Sequence, residues 1–235
     1  MKKILLFSLF SLSFATFGQK PEDLIEKINA KIASAKDYTV NAYIDADIPM
    51  IQIMPSKAKI YFKQKDKFKI ESKGINILPK QGFTELNLFL SEKSKYTAVF
   101  GDSLKIRDVD TRLINIIPNS SSGEIILAKI WVDQKNSVIM RSQVTTQSNG
   151  TVKTDFKYGN QLSYGLPSEL KFEIDVKKFK MPKSVAADIN KTSTDKKKTK
   201  SKPKTKGTIT ITLTDYAVNT GLSDSIFKEK KKETK

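Results

Sequence analysis

The chain has no histidine and no cysteine. Imidazole and thiolate nucleophile pairs are therefore excluded, together with most transition-metal sites. Catalysis would have to come from carboxylates, Lys, Ser or Tyr. Asp108 and Asp110 share a strand face by spacing, and Asp133 follows a predicted strand. A pair of carboxylates about 5 Å apart would suit a retaining glycoside hydrolase, but solvated acids at strand ends are the commoner outcome for such residues. Gly-rich phosphate loops, calcium loops and zinc spacings do not occur in the sequence. No catalytic constellation emerges, a non-enzymatic role is expected, and no cofactor or metal is implied.

Lysine is the other chemistry-bearing residue type, and the formal charge is +17. Residues 181–206 carry +7 of it, residues 228–235 carry +3, and Lys2 and Lys3 lie in the leader, so only +5 belongs to the rest. The excess sits in two appendages. Thr, Ser, Lys and Pro dominate 178–206, which reads as a disordered insertion inside a hairpin. Lys196, Lys197, Lys198, Lys200, Lys202 and Lys204 could contact an anionic membrane surface, at about 1 kcal/mol each near lipid head groups, or an acidic partner protein. Nucleic acid is a poor fit, because 181–206 has no aromatic residue on which bases could stack.

The elements around these residues are largely legible. Met1-Lys2-Lys3, an apolar run from Ile4 to Phe17, and small residues Thr16 and Gly18 before Gln19 give the layout of a signal peptide over 1–18. The run is short for a membrane span, and no later stretch approaches that length. One domain is expected over 19–227, followed by a basic tail at 228–235. The periodicity predicts a helix from about Pro21 to Lys36, with Leu24, Ile25, Ile28, Ile32 and Ala35 on one stripe and Glu22 and Asp23 in the first turn. After it, strands dominate. Lys57–Lys63 and Lys67–Glu71 alternate around Gln64-Lys65-Asp66 as a hairpin. Strands are also predicted near 38–48, 84–90, 95–100 and 103–109, with a short helix near 110–115. Val138, Met140 and Val144, then Val152, Phe156 and Tyr158, then Leu170, Phe172, Ile174 and Val176, then Ile209, Ile211 and Leu213 each alternate with polar residues, as a long antiparallel meander requires.

The run Glu124–Asp133 is apolar on both faces, with Ile126, Ala128, Ile130 and Val132 on one and Ile125, Leu127 and Trp131 on the other. Such a strand must be covered twice. A strongly curved sheet with a helix or plug on its concave side satisfies this, and the helix at 21–36 is the natural cover. Phe62, Phe68, Phe156 and Phe172 read, residue by residue, as ordinary core.

Ile130-Trp131-Val132-Asp133, Val138-Ile139-Met140-Arg141, Gly150, Phe156, Leu166-Pro167 and the strand Leu170–Val176 together resemble the periplasmic lipoprotein carrier family LolA. The opening helix and hairpin, and the closing Asp215-Tyr216-Ala217-Val218-Asn219, are similar to that superfamily as well. The resemblance implies a mainly β fold with an N-terminal helix: a curved antiparallel sheet forming a half-open barrel covered by helices. It also implies a monomeric periplasmic chaperone that shelters lipoprotein acyl chains during sorting to the outer membrane. The implied cavity would be lined by Phe62, Phe68, Ile70, Trp131, Phe156 and Phe172. The family's early latch arginine has no counterpart, since Arg107, Arg112 and Arg141 all lie outside the strands at 38–71. The alternatives are a carrier of free lipid and a filled-barrel module that binds an anionic envelope surface through the Lys-rich segment.

Overall fold

The computed structural model describes residues 19–49, 53–64, 67–72, 80–148, 150–175 and 206–228, with side chains left out at 80–85. The expected signal peptide, the Lys-rich insertion with Lys196–Lys204, and nearly all of the basic tail lie outside the described residues. Among the described residues, no helix is long and apolar enough to cross a membrane.

Helix α1 spans Pro21–Ala33. Pro21 presets its first turn, and the Asp23 carboxylate accepts the Lys20 backbone N–H at 3.2 Å. The helix stops three residues short of the expected Lys36 because Asn219 captures the next turn. The Asn219 side chain accepts from the Lys36 N–H at 2.7 Å and donates to the Ser34 carbonyl at 3.0 Å. Leu24, Ile25 and Ile28 are buried, as the apolar stripe demands.

The strands follow as β1 (Asp37–Asp47), β2 (Ser56–Lys63) and β3 (Lys67–Ser72). After helix α2 (Lys80–Ser91) come β4 (Tyr96–Ile106), β5 (Val109–Pro118), β6 (Ile125–Asp133), β7 (Val138–Thr146), β8 (Gly150–Tyr158), β9 (Pro167–Asp175) and β10 (Lys206–Val218). They form one antiparallel sheet in the order β3-β2-β1-β10-β9-β8-β7-β6-β5-β4. The sheet is open, with β3 and β4 as edges. The predicted hairpin pairs as expected, Phe62 opposite Phe68 and Ile60 opposite Ile70. Strands β9 and β10 pair from Asp175 and Lys206, so the intervening segment does join two hairpin strands.

Laid flat, ten strands about 4.8 Å apart would be roughly 43 Å wide, and two helices about 10 Å across could not cover them. Yet Ile60 of β2, near one edge, shares a single buried cluster with Tyr96 and Ala98 of β4, the other edge. The same cluster holds Leu24, Ile25 and Ile28 of α1 and Leu86 and Leu90 of α2. The sheet therefore curves around the helices.

Four local expectations are corrected. Residues 84–90 are helical and not a strand: Leu86 and Leu90, four apart, share the buried face while Leu88 lies on the exposed one. Residues 110–115 belong to β5, where β-branched Ile114 and Ile116 alternate inward. In β6 a bulge between Ile125 and Leu127 turns Ile125 into the core and leaves Ile126 exposed. In β7, Trp131 pairs with Arg141 but Val132 pairs with Ile139, so Met140 is an extra residue. Ile139 and Val144 therefore join the main core, whereas Val138 and Met140 join a smaller cluster with Ile106 and Trp131.

The loop after β8 seals the end of α1. Gly165 sits at φ +64°, and a β-carbon there would lie 3.3 Å from the Ile32 side chain. Replacing Gly165 with Ala should cost about 1–2 kcal/mol, the usual penalty for a left-handed L-residue. A urea midpoint would register the loss, and an unchanged midpoint would show that the loop adapts freely.

Candidate functional site

The side chains singled out for a cavity separate into four groups. Phe156 and Phe172 are fully buried in the helix-covered core. Phe62 and Ile70 are half-buried against the same core, Phe62 stacking on Tyr38 with ring centroids 5.0 Å apart. Phe68 is exposed on the edge strand β3, across from Phe62. Trp131 packs with Ile106, Val138 and Met140 in the smaller cluster, so it does not share a surface with Phe156 and Phe172. The fold thus brings four of the six together under α1 and α2.

That interior is packed. A space of about 10 Å³ lies between Ile28, Asn87, Ile139, Phe156 and Tyr158, room for about one water molecule. Burial pushes the phenols of Tyr158 and Tyr216 far up, and both act as neutral donors, to the Ile139 and Pro167 carbonyls at 2.8 Å each. A larger groove, about 610 Å³, lies on the polar side of β3, β2, β1 and β10, lined by Asn41, Tyr43, Lys57, Lys59, Glu71 and Asp215 among others. None of the six predicted residues reaches it.

The two helices are fastened unequally. Lys31 Nζ of α1 donates to the Asn136 carbonyl at 2.5 Å, Gln64 Nε2 donates to the Ala33 carbonyl, and Asn219 holds Ser34. Among the described residues, the polar ties that reach α2 from other elements converge on one atom, the Leu90 carbonyl. It accepts from Asn29 Nδ2 at 2.8 Å and from the Tyr96 hydroxyl at 3.1 Å. Otherwise α2 is seated by Leu86, Leu90 and half-buried Phe89.

The acidic candidates have structural employment or stand apart. Asp108 lies in the β4–β5 turn at φ 63°, beside Arg107 at φ 47°, and Asp110 lies on β5. The expected shared strand face is therefore absent, because the strand at 103–109 ends at Ile106. Arg107 instead donates to the Phe156 carbonyl. Asp133 is buried and caps its own turn, accepting from Asn136 N at 3.1 Å and Asn136 Nδ2 at 2.6 Å. Among the described residues, no group of three or more acidic, His or Cys side chains could hold a metal ion.

Two inward-facing residues were missed by sequence reasoning: Ser142 and Thr154, both with no exposed surface. The signal was present as gaps in the alternation, since Ser142 precedes Val144 by two and Thr154 falls between Val152 and Phe156.

No family model matches the chain, and no curated protein sequence matches it. Solved structures do match in fold. One is described as an outer membrane lipoprotein-sorting protein domain from Vibrio parahaemolyticus, with a TM-score of 0.60, 10% identity, and coverage of 88% of this chain and 95% of that one. A LolA superfamily protein from Nitrosomonas europaea has a TM-score of 0.57 and 13% identity, covering 90% and 99%. A DUF1329 family protein from Desulfovibrio piger has a TM-score of 0.54 and 9% identity, covering 88% and 95%. The chain is similar to these in its fold, which is LolA-like: a curved, open antiparallel sheet covered by helices.

The edge strand β3 is held at the chain's C-terminal end. Lys63 and Lys67 approach the Asp224 carboxylate at 2.7 and 2.6 Å, and Lys69 Nζ donates to the Ile226 carbonyl at 2.9 Å. Hydrogen bonds from Lys63 and then Lys67 lower the Asp224 carboxyl from 3.8 to about 2. A depressed carboxylate contributes fully above its ordinary value and loses that contribution as pH falls towards the folded one. The tie should therefore fade between pH 3.8 and about 2, and salt should weaken it because it is exposed. A carboxyl NMR titration should place Asp224 near 2; an ordinary value would mean that the two lysines do not hold it in solution.

Proposed function

We propose that this LolA-like chain is an exported, non-catalytic carrier that shelters the acyl chains of lipoproteins in the periplasm, between its curved sheet and α2. One observation carries this reading. The apolar inner face is continuous from β2 to β4, and of its two covers α2 is, among the described residues, the one whose polar ties to other elements meet at a single carbonyl.

Magnitudes favour α2 as the element that yields. Burial of Leu86 and Leu90 is worth about 3–6 kcal/mol together. Burying a sixteen-carbon acyl chain at about 0.8 kcal/mol per methylene is worth roughly 12 kcal/mol. A lipid chain that takes the place of α2 on the sheet therefore gains more than the burial of these two leucines supplies. The packed interior is then the resting state, with the helix occupying the cargo's place. Nothing in such a cycle makes or breaks a covalent bond, so Asp108, Asp110 and Asp133 have no part in it.

The small interior space gives a second reading its support: a filled barrel that carries no cargo and binds an anionic envelope surface through Lys196–Lys204. Native mass spectrometry of the mature protein from its own host separates the two. A bound diacyl or triacyl species is expected for the carrier. A clean protein mass with no uptake of added lipid would favour the filled module.

Leu86→Ala loosens the seat of α2. Truncating a buried leucine costs about 2–5 kcal/mol, part of it in the helix-closed state alone. The variant should melt earlier yet take up a fluorescent long-chain acyl probe faster than wild type in stopped flow. Equal uptake rates would mean that α2 does not gate the site.

A further inference from the structure

Register places Ile114, Ile130, Ser142, Thr154, Phe172 and Ile209 opposite one another in turn across β5, β6, β7, β8, β9 and β10. Four of the six are aliphatic or aromatic members of the main core. The central two carry hydroxyls, both wholly buried, and neither Ser142 Oγ nor Thr154 Oγ1 has a hydrogen-bond partner among the described residues. Their neighbours on the inner face, Val144, Val152 and Phe156, offer none. A buried hydroxyl without a partner destabilises the fold that holds it, and Ala and Val would fit the same places at no such cost. Two of them side by side, on the strands against which α2 lies, mark a place where something polar belongs.

We propose that Ser142 and Thr154 are the polar anchor of the acyl site, donating together to the carbonyl oxygen of an ester- or amide-linked acyl chain once α2 has moved aside. The assignment rests on the carrier reading and adds the ligand's chemical class. Directly opposed strand residues have β-carbons about 4.5–5.5 Å apart, which lets two short hydroxyls converge on one oxygen with two lone pairs. The buried polar side chains among the described residues are Asp37, Thr111, Asp133, Ser142, Thr146 and Thr154, with no cation among them. A carboxylate placed here would keep an uncompensated charge, whereas a neutral carbonyl asks only for donors. The site therefore selects acylated molecules over free fatty acids, and the hydroxyls fix how far the chain inserts.

The test compares wild-type mature protein with Ser142→Ala/Thr154→Val, using methyl palmitate, hexadecane and palmitate as probes in competition with a bound apolar dye. The double variant should lose about tenfold in affinity for the ester, keep its affinity for the alkane, and be no less stable than wild type. Thr154→Ser with Ser142 intact should retain ester affinity, and it serves as the check if the double variant folds poorly. Equal changes for ester and alkane, or no change for either, would overturn the anchor while leaving the carrier intact. If wild type binds none of the three probes, the carrier reading fails and the anchor with it.

Discussion

An open sheet with one apolar face must bury that face, and almost everything else in this molecule follows from how it does so. Ten strands curve until residues near both edges meet over α1 and α2, so a single core joins Ile60, Tyr96 and the two helices. Closing the sheet on itself would have removed the need for covers. Left open, it depends on two helices with different holds. Groups from three separate loops or turns hold α1, two of them side chains and one a backbone carbonyl, whereas among the described residues α2 rests on leucines, Phe89 and one carbonyl.

On the proposed reading, this division gives the fold a fixed part and an exchangeable part without any change in the sheet. The edges support the fixed part. Asp37 is buried where β1 begins and accepts from Thr220 N at 2.9 Å and Gly221 N at 3.1 Å, which locks the end of β10 onto the start of the sheet. Asp224 pins the final turn over β3 through Lys63 and Lys67. Charged groups and a covering turn on an edge also discourage pairing with other chains. In the proposed cycle, movement is confined to the inner face, where a dispersive contact between α2 and the sheet is exchanged for a chemically similar contact with an acyl chain.

Much of this was legible because period-two and period-3.6 patterns are strong where a strand or helix has one wet face. Helix α1, the β2–β3 hairpin and the strands β7 to β10 were read from such patterns. The two-sided β6 correctly called for a curved, covered sheet. Reading failed where an apolar run was short. Leu86, Leu88 and Leu90 satisfy a strand period, and only the exposure of Leu88 reveals the helix. Bulges are equally silent in sequence, and the two between β6 and β7 reversed the faces of their neighbours, as Ile125 and Ile139 show. Trp131 was placed with the cavity candidates by family likeness, while its position opposite the Met140 bulge gives it to the smaller cluster. Ser142 and Thr154 are hidden in the sequence because a polar residue at an inward position looks like a break in the apolar alternation, although its register places it on the buried face.

The central claim is that cargo takes the place of α2 on the sheet while α1 stays. Hydrogen exchange of the mature protein, with and without a diacyl lipid, tests it residue by residue. The account predicts that bound lipid strips protection from the amides of 80–91 and leaves those of 21–33 and the strands protected. Lipid bound in stoichiometric amount with α2 as protected as before would contradict it.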